Sequence, residues 1–275
     1  MGRGALLLVA VTLGLATGAA PAAAAAPASQ PAASQPIAAT HPAAAVPAAR
    51  SVDRLPVNWY VELPVTATLG VTYLTLEWFR GSLGPKHCRW CEPSLNGFDA
   101  AGRDVRWGNR GAADTLSSVV AFGLTPVVTG GLVTWDAYRA GGWRQAAEDN
   151  LVIIEAVTAS TMVVLAGKYA TARQRPYVRE LPAGAATGGD DNLSFPGGHT
   201  AVAFSLATAS GTVATLHGYR HAPWVWGAGM GLAAFTGYLR MAADKHYASD
   251  IIVGALIGSL VGWAVPYLLH YRWRR

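Results

Sequence analysis

Beyond residue 54 the chain reads as six apolar stretches parted by polar loops, and none alternates with the period of two that a half-buried strand needs. The pattern predicts an all-helical fold. The first stretch, LPVTATLGVTYLTL, is short, set between Glu62 and Glu77 and dotted with threonines. The second, Thr115 to Trp135, is uncharged and long enough to cross a bilayer, with Pro126 and Gly130–Gly131 as expected kink points. The third, Asn150 to Gly167, contains Glu155, which needs a partner or a polar cavity if it lies in lipid. The fourth runs from His199 to about His217 and is rich in Ala, Ser, Thr and Gly. The fifth is APWVWGAGMGLAAFTGYL, and the sixth, Ile251 to Tyr271, has no acidic or basic residue except His270 before the closing RWRR. Glycines 227, 229 and 231, and 254, 258 and 262, recur at helical spacing, as close helix packing requires.

The segments ahead of this pattern are of another kind. MGRGALLLVAVTLGLATGAA places Arg3 before an apolar run and then small residues, so residues 1–26 read as an export signal. Residues 27–54, almost wholly Ala and Pro, bury too little apolar surface to fold and read as a disordered tether, leaving 55–275 as one domain. With 52% hydrophobic and only 13% charged residues, the chain has about half the charge of a soluble domain, which points to a membrane or to tightly packed helices. Its formal net charge of +5 does not imply nucleic acid, because no basic run is interleaved with aromatics. Anionic lipid or a phosphorylated substrate fits better. Cys88 and Cys91 in HCRWC are spaced for a small disulfide in an exported protein. A thioredoxin-like pattern is missing around them, and only His87 stands near as a further zinc ligand.

Three charged clusters stand at ends of the apolar stretches. KYATARQRP carries Lys168 and Arg175, and by itself equally suits a basic helix end facing lipid headgroups. SFPGGHT leads through Gly197 and Gly198 into His199, a turn whose amides and helix N-terminus suit an anion. In LRMAADKHYASD, His246 and Asp250 fall one helical turn apart, so the carboxylate can hold one imidazole nitrogen and leave the other as nucleophile; a solvated pair is the plain alternative. Together the clusters supply what phosphoryl transfer needs: cations for the equatorial oxygens, a nucleophile and an acid for the leaving group. No metal or other cofactor is implied. Asp190 and Asp191 sit in a Gly-rich loop and read as turn formers rather than metal ligands.

The order K-x6-R-P, P-x-G-H and R-x5-H-x3-D, between Gly167 and Asp250, resembles the signature of the type 2 phosphatidic acid phosphatase (PAP2) superfamily, which also holds class A acid phosphatases and vanadium haloperoxidases. The resemblance implies a six-helix, all-α bundle of the PAP2 type, embedded in a membrane. It implies that Lys168, Arg175 and Arg240 bind phosphate oxygens with the amides of Gly197 and Gly198. In the same scheme His246 forms a phosphohistidine, Asp250 orients it and His199 protonates the leaving oxygen. Two positions depart from the family pattern: Gly197 stands where it usually has Ser, and Leu239 replaces the usual Ser before the third-motif arginine.

These readings lead to a metal-independent phosphatase of the cell envelope acting on a phosphatidate-like monoester or a polyprenyl diphosphate. A soluble periplasmic acid phosphatase and a non-catalytic phosphate-binding or scaffold protein are the alternatives. If all six stretches span, a cleaved signal puts the site inside, against the positive-inside expectation for RWRR. Laying the short first stretch in the outer interface instead leaves five spans, with Arg139, Arg144, Arg220 and the tail inside and the site outside.

Overall fold

The computed structural model describes residues 54–271 apart from 92, 93, 183, 184, 186 and 187; the export signal, all but the last residue of the tether and RWRR lie outside the described residues. The elements are all helical. They comprise α1 (Trp59–Trp78), the short α2 (Arg80–Leu83) and α3 (Gly97–Arg103), α4 (Arg110–Val119), α5 (Thr125–Thr171), α6 (Gly198–His217), α7 (Ala222–Ala242) and α8 (Ala248–Ala264). Helix ends follow local chemistry: the Asn58 side chain accepts from the Tyr60 amide at the start of α1, and Gly218 closes α6 at φ 66°.

The expected kink points behave differently from the pattern. Residues 120–124 widen into a π-helical segment between α4 and α5, just ahead of Pro126, while Gly130 and Gly131 keep helical dihedrals. The chain reverses at Gly141 and Gly142, the latter at φ 72°, which favours glycine. The two arms of α5 lie against each other, with Asn150 Nδ2 donating to Thr134 Oγ1 at 2.8 Å.

Helix α6 forms the centre, and its small residues Ala201, Ala203, Ala207, Ala209 and Ala214 are completely buried. Glycines of α8 let the two backbones approach: a Cβ at Gly254 or Gly258 would lie 2.4 Å from the carbonyl oxygen of Gly197 or Ala201. Gly229 packs in the same way against Thr129 and Ala207, whereas Gly227 and Gly231 face open space, so packing accounts for only part of the glycine pattern.

The first apolar stretch stands upright rather than lying across an end of the bundle. Its Glu62 approaches His270 at 4.0 Å, Gly70 faces Thr158, and Tyr73 and Glu77 line the same cavity as Lys168. Helix α1 therefore runs alongside the second arm of α5 and in the same direction, over about 30 Å for its 20 residues. The pattern missed this because its threonines suggested a polar surface, yet Thr66 is buried and Thr75 donates to the Val71 carbonyl within the helix. Glu155 finds the partner it needs in His270 Nε2, at 2.9 Å.

Among the described residues, Arg110–Thr171 and Ala248–Tyr271 are long and apolar enough to cross a bilayer. Only 33% and 28% of their most apolar windows are buried inside the bundle, so most of that apolar surface faces outward.

Candidate active site

A cavity of about 140 Å³ opens at the end of the bundle where α1 and the second arm of α5 finish and α6 starts. All three sequence clusters reach it: Lys168 from the last turn of α5, Arg175 from the loop beyond, Gly198 and His199 from the first turn of α6, Arg240 from the last turn of α7, and His246 from the turn before α8.

Each cation already has a partner. Lys168 Nζ donates to the Leu193 carbonyl at 2.6 Å. Arg175 is held by Asp190, through Nη2 to Oδ1 and Nε to the carbonyl, both at 2.8 Å. Arg240 bonds to Asp114 and donates to Ser117 Oγ at 3.0 Å. Asp190 does more than form a turn: burial opposes its ionisation, but Arg175 and Arg80 outweigh this and hold its carboxyl at about 2. Asp191 keeps the turn role, accepting from the Gly188 amide at 2.6 Å.

The two histidines stand differently. His199 Nε2 lies 3.1 Å from Ser118 Oγ, and its ring meets Phe122 edge to face, so the π-helical segment and α4 fix the imidazole. His246 is buried, and burial together with the charges of Arg175, Lys168 and Arg240 holds its imidazole well below the usual range. The shift favours the neutral imidazole.

Asp250 lies behind His246, with Oδ2 3.5 Å from Nδ1. That is too long for a hydrogen bond, and both carboxylate oxygens are engaged elsewhere. Ser194 Oγ donates to Oδ2 at 2.6 Å, the Tyr247 amide to the same oxygen at 2.9 Å, and Arg173 to Oδ1 at 2.5 Å.

Of the two glycines only Gly198 lines the cavity. The Gly197 amide donates to the Asp250 carbonyl at 2.9 Å, so its expected role toward phosphate gives way to joining α6 to α8. Leu239 is fully buried and also lies outside the cavity lining.

Sequence reasoning passed over Glu77 and Asp114, which line the cavity, and Arg173, Ser194 and Asp99, which hold Asp250 or one another behind it. Only Arg173 carried a signal, as a third cation within the first cluster. Cys88 and Cys91 are disulfide-bonded, and the turn they close places Trp90 over Arg173.

A lysine, two arginines, a helix N-terminus and two histidines converge on one cavity at the end of the helical bundle, a set of groups suited to a phosphoryl anion. Residues 150–274, which carry all three motifs, match the family model of the PAP2 superfamily. Over 100 residues, 36% of this chain, it is 39% identical to a lipid A 1-phosphatase of Porphyromonas gingivalis, and it spans about a fifth (19%) of that relative's length. The fold also overlaps the crystal structure of a transmembrane PAP2-type phosphatidylglycerolphosphate phosphatase from Bacillus subtilis. That overlap has a TM-score of 0.45 and 16% identity over 73% of this chain and 93% of the other.

Proposed function

We propose that the protein is a membrane-embedded lipid phosphatase that removes a phosphoryl group through a phosphohistidine. The observation that carries the reading is the convergence of Lys168, Arg175, Gly198, His199, Arg240 and His246 on one cavity of a bundle with an apolar exterior. In the first step the Nε2 lone pair of His246 attacks phosphorus, the P–O ester bond breaks with its electrons going to oxygen, and His199 gives that oxygen a proton. In the second step His199 takes a proton from water, whose oxygen displaces His246 from phosphorus and releases phosphate. Lys168, Arg175, Arg240 and the Gly198 amide offset the charge that gathers on the equatorial oxygens.

The surroundings support a lipid substrate. A cavity at the end of a bundle with outward-facing Val127, Leu256 and Leu260 can take a headgroup while the acyl chains stay in hydrocarbon. The relative named as a lipid A 1-phosphatase supports the same class, a phosphorylated lipid. Phosphate release from phosphatidate and from a polyprenyl diphosphate, in detergent without added metal, tests the reading against His246→Ala. Release should vanish in the variant; equal release from both proteins refutes the phosphohistidine route.

We further propose that the cavity faces the exterior. The Cys88–Cys91 disulfide lies at the cavity end, as an oxidising compartment favours. Arg139, Arg144 and Arg220 lie at the opposite end, as the positive-inside rule favours. With α1 upright, this sidedness starts the bundle on the cytoplasmic side, which is at odds with a cleaved signal ahead of it. Impermeant thiol labelling of single cysteines introduced at Lys86 and Arg220 of a cysteine-free variant separates the two; labelling of Arg220→Cys alone in intact cells reverses the assignment.

A further inference from the structure

Arg173 is almost wholly buried and is among the largest side chains so enclosed. It leaves the end of α5 just after Ala172, which stands at φ 45° and turns the chain. Its guanidinium joins two carboxylates on different elements: Nη2 donates to Asp99 Oδ2 at 2.7 Å, and Nη1 to Asp250 Oδ1 at 2.5 Å. Nη1 also donates to Ser249 Oγ at 2.7 Å. The ring centroids of Trp90 and Tyr247 lie 4.1 and 4.2 Å from its central carbon.

The loop between α2 and α4 supplies much of this seat. Trp90 lies within the turn closed by Cys88 and Cys91, and its carbonyl accepts from the Gln174 amide at 3.3 Å while the Arg89 amide donates to the Ala172 carbonyl at 3.1 Å. Asp99, on α3, also accepts from the Ser249 amide and hydroxyl, both at 2.9 Å. The loop therefore reaches the first turn of α8 directly and through Arg173.

We propose that Arg173, seated by Trp90 of the disulfide turn and by Asp99, is a positioning residue that fixes the Asp250 carboxylate and, through it, the His246 imidazole. The inference rests on the phosphohistidine reading. With Oδ1 held by Arg173 and Oδ2 by Ser194 and the Tyr247 amide, the carboxylate is set with Oδ2 toward His246 Nδ1, 3.5 Å away. Without the Arg173 bridge the carboxylate loses its Oδ1 anchor and turns away from His246 Nδ1, so the Nδ1–H tautomer that leaves the Nε2 lone pair toward phosphate is no longer favoured. The other charged or titratable groups facing His246 are Arg175, Lys168, Arg240 and His199, which the change leaves in place. Phosphate binding should persist while turnover falls.

The test uses the full chain in detergent with phosphatidate as substrate and orthophosphate as inhibitor. Arg173→Lys keeps the charge but not the two-aspartate bridge. It should lower kcat about 100-fold, leave KM and the phosphate inhibition constant within about threefold of native, and move the acidic limb of the pH–rate profile to lower pH. Trp90→Ala should lower kcat about tenfold and Trp90→Phe should restore it, because the ring seats the guanidinium. Native kcat and an unmoved pH profile in Arg173→Lys overturn the proposal, as does parallel loss of turnover and phosphate binding. If Arg173→Lys does not fold, equal kcat in Trp90→Ala and Trp90→Phe overturns it. A native protein that releases no phosphate overturns the phosphohistidine reading and this inference with it, whereas native release with indifferent variants removes this inference alone.

Discussion

Asp114 bonds to Arg240 and lies 3.6 Å from Lys245 Nζ, so a phosphate seeking Arg240 meets a carboxylate already there. Two negative charges about 5 Å apart at an effective dielectric near 20 repel by roughly 3 kcal/mol. The Asp114 side chain keeps 38% exposure, and solvent screening leaves about half of that or less. The remaining ~1.4 kcal/mol corresponds to about tenfold in affinity. Asp114→Asn keeps the shape, and Arg240 retains Ser117 Oγ at 3.0 Å. Inhibition constants for orthophosphate and orthovanadate, measured against phosphatidate hydrolysis at low and high salt, should fall about tenfold in the variant, with the gain shrinking as salt rises. An unchanged or higher inhibition constant would mean that Asp114 orients Arg240 instead of competing for it.

Two further outcomes follow from packing and from burial of charge. Gly258→Ala places a Cβ 2.4 Å from the Ala201 carbonyl oxygen and should cost about 1–3 kcal/mol or more, whereas Gly231→Ala meets open space and should be neutral or stabilising by up to ~1 kcal/mol. Thermal unfolding in detergent, followed by helical circular dichroism, separates them, and equal midpoints would refute the close-approach argument. Because the folded protein holds the His246 imidazole below its ordinary range, its neutral form contributes stability that is intact above about pH 6.5 and is lost as pH falls below it. The midpoint of the native protein should therefore drop more between pH 7.5 and 5 than that of His246→Asn, and identical drops would count against a buried neutral histidine.

What the sequence made legible was local. Six helical stretches follow from the absence of period-two alternation, and the motif residues follow from spacings that one helix end can carry. Lys168 and Arg175, or His246 and Asp250, are close in sequence and remain close in space. What stayed hidden depends on contacts between distant elements. Asp99 reaches Arg173 across 74 positions and Asp114 reaches Arg240 across 126, and no periodicity signals either pairing. The chain reversal falls in the polar loop expected between the second and third stretches, but that loop is helical on both sides of Gly141 and Gly142, whose non-helical dihedrals alone mark the turn. The upright stance of α1 depends on which end of the bundle meets Glu62 and which meets Glu77, and that too is a tertiary fact.

The same distinction bears on the non-catalytic alternative, whose support was the two departures from the family pattern. A missing hydroxyl weakens catalysis only where its absence leaves the substrate short of a donor. Gly197 and Leu239 both lie outside the cavity lining: the first ties α6 to the Asp250 carbonyl and the second is packed in the core. At Gly197 the packing itself disfavours a larger residue, since a Cβ there would stand 3.0 Å from the Asp250 carbonyl oxygen. Close approach of α6 and α8, which sets His199 and His246 around one cavity, is thus a sufficient reason for glycine at this position. Neither departure removes a cation, a histidine or the Gly198 amide from the cavity, so the pocket retains the groups on which the proposed phosphoryl transfer rests.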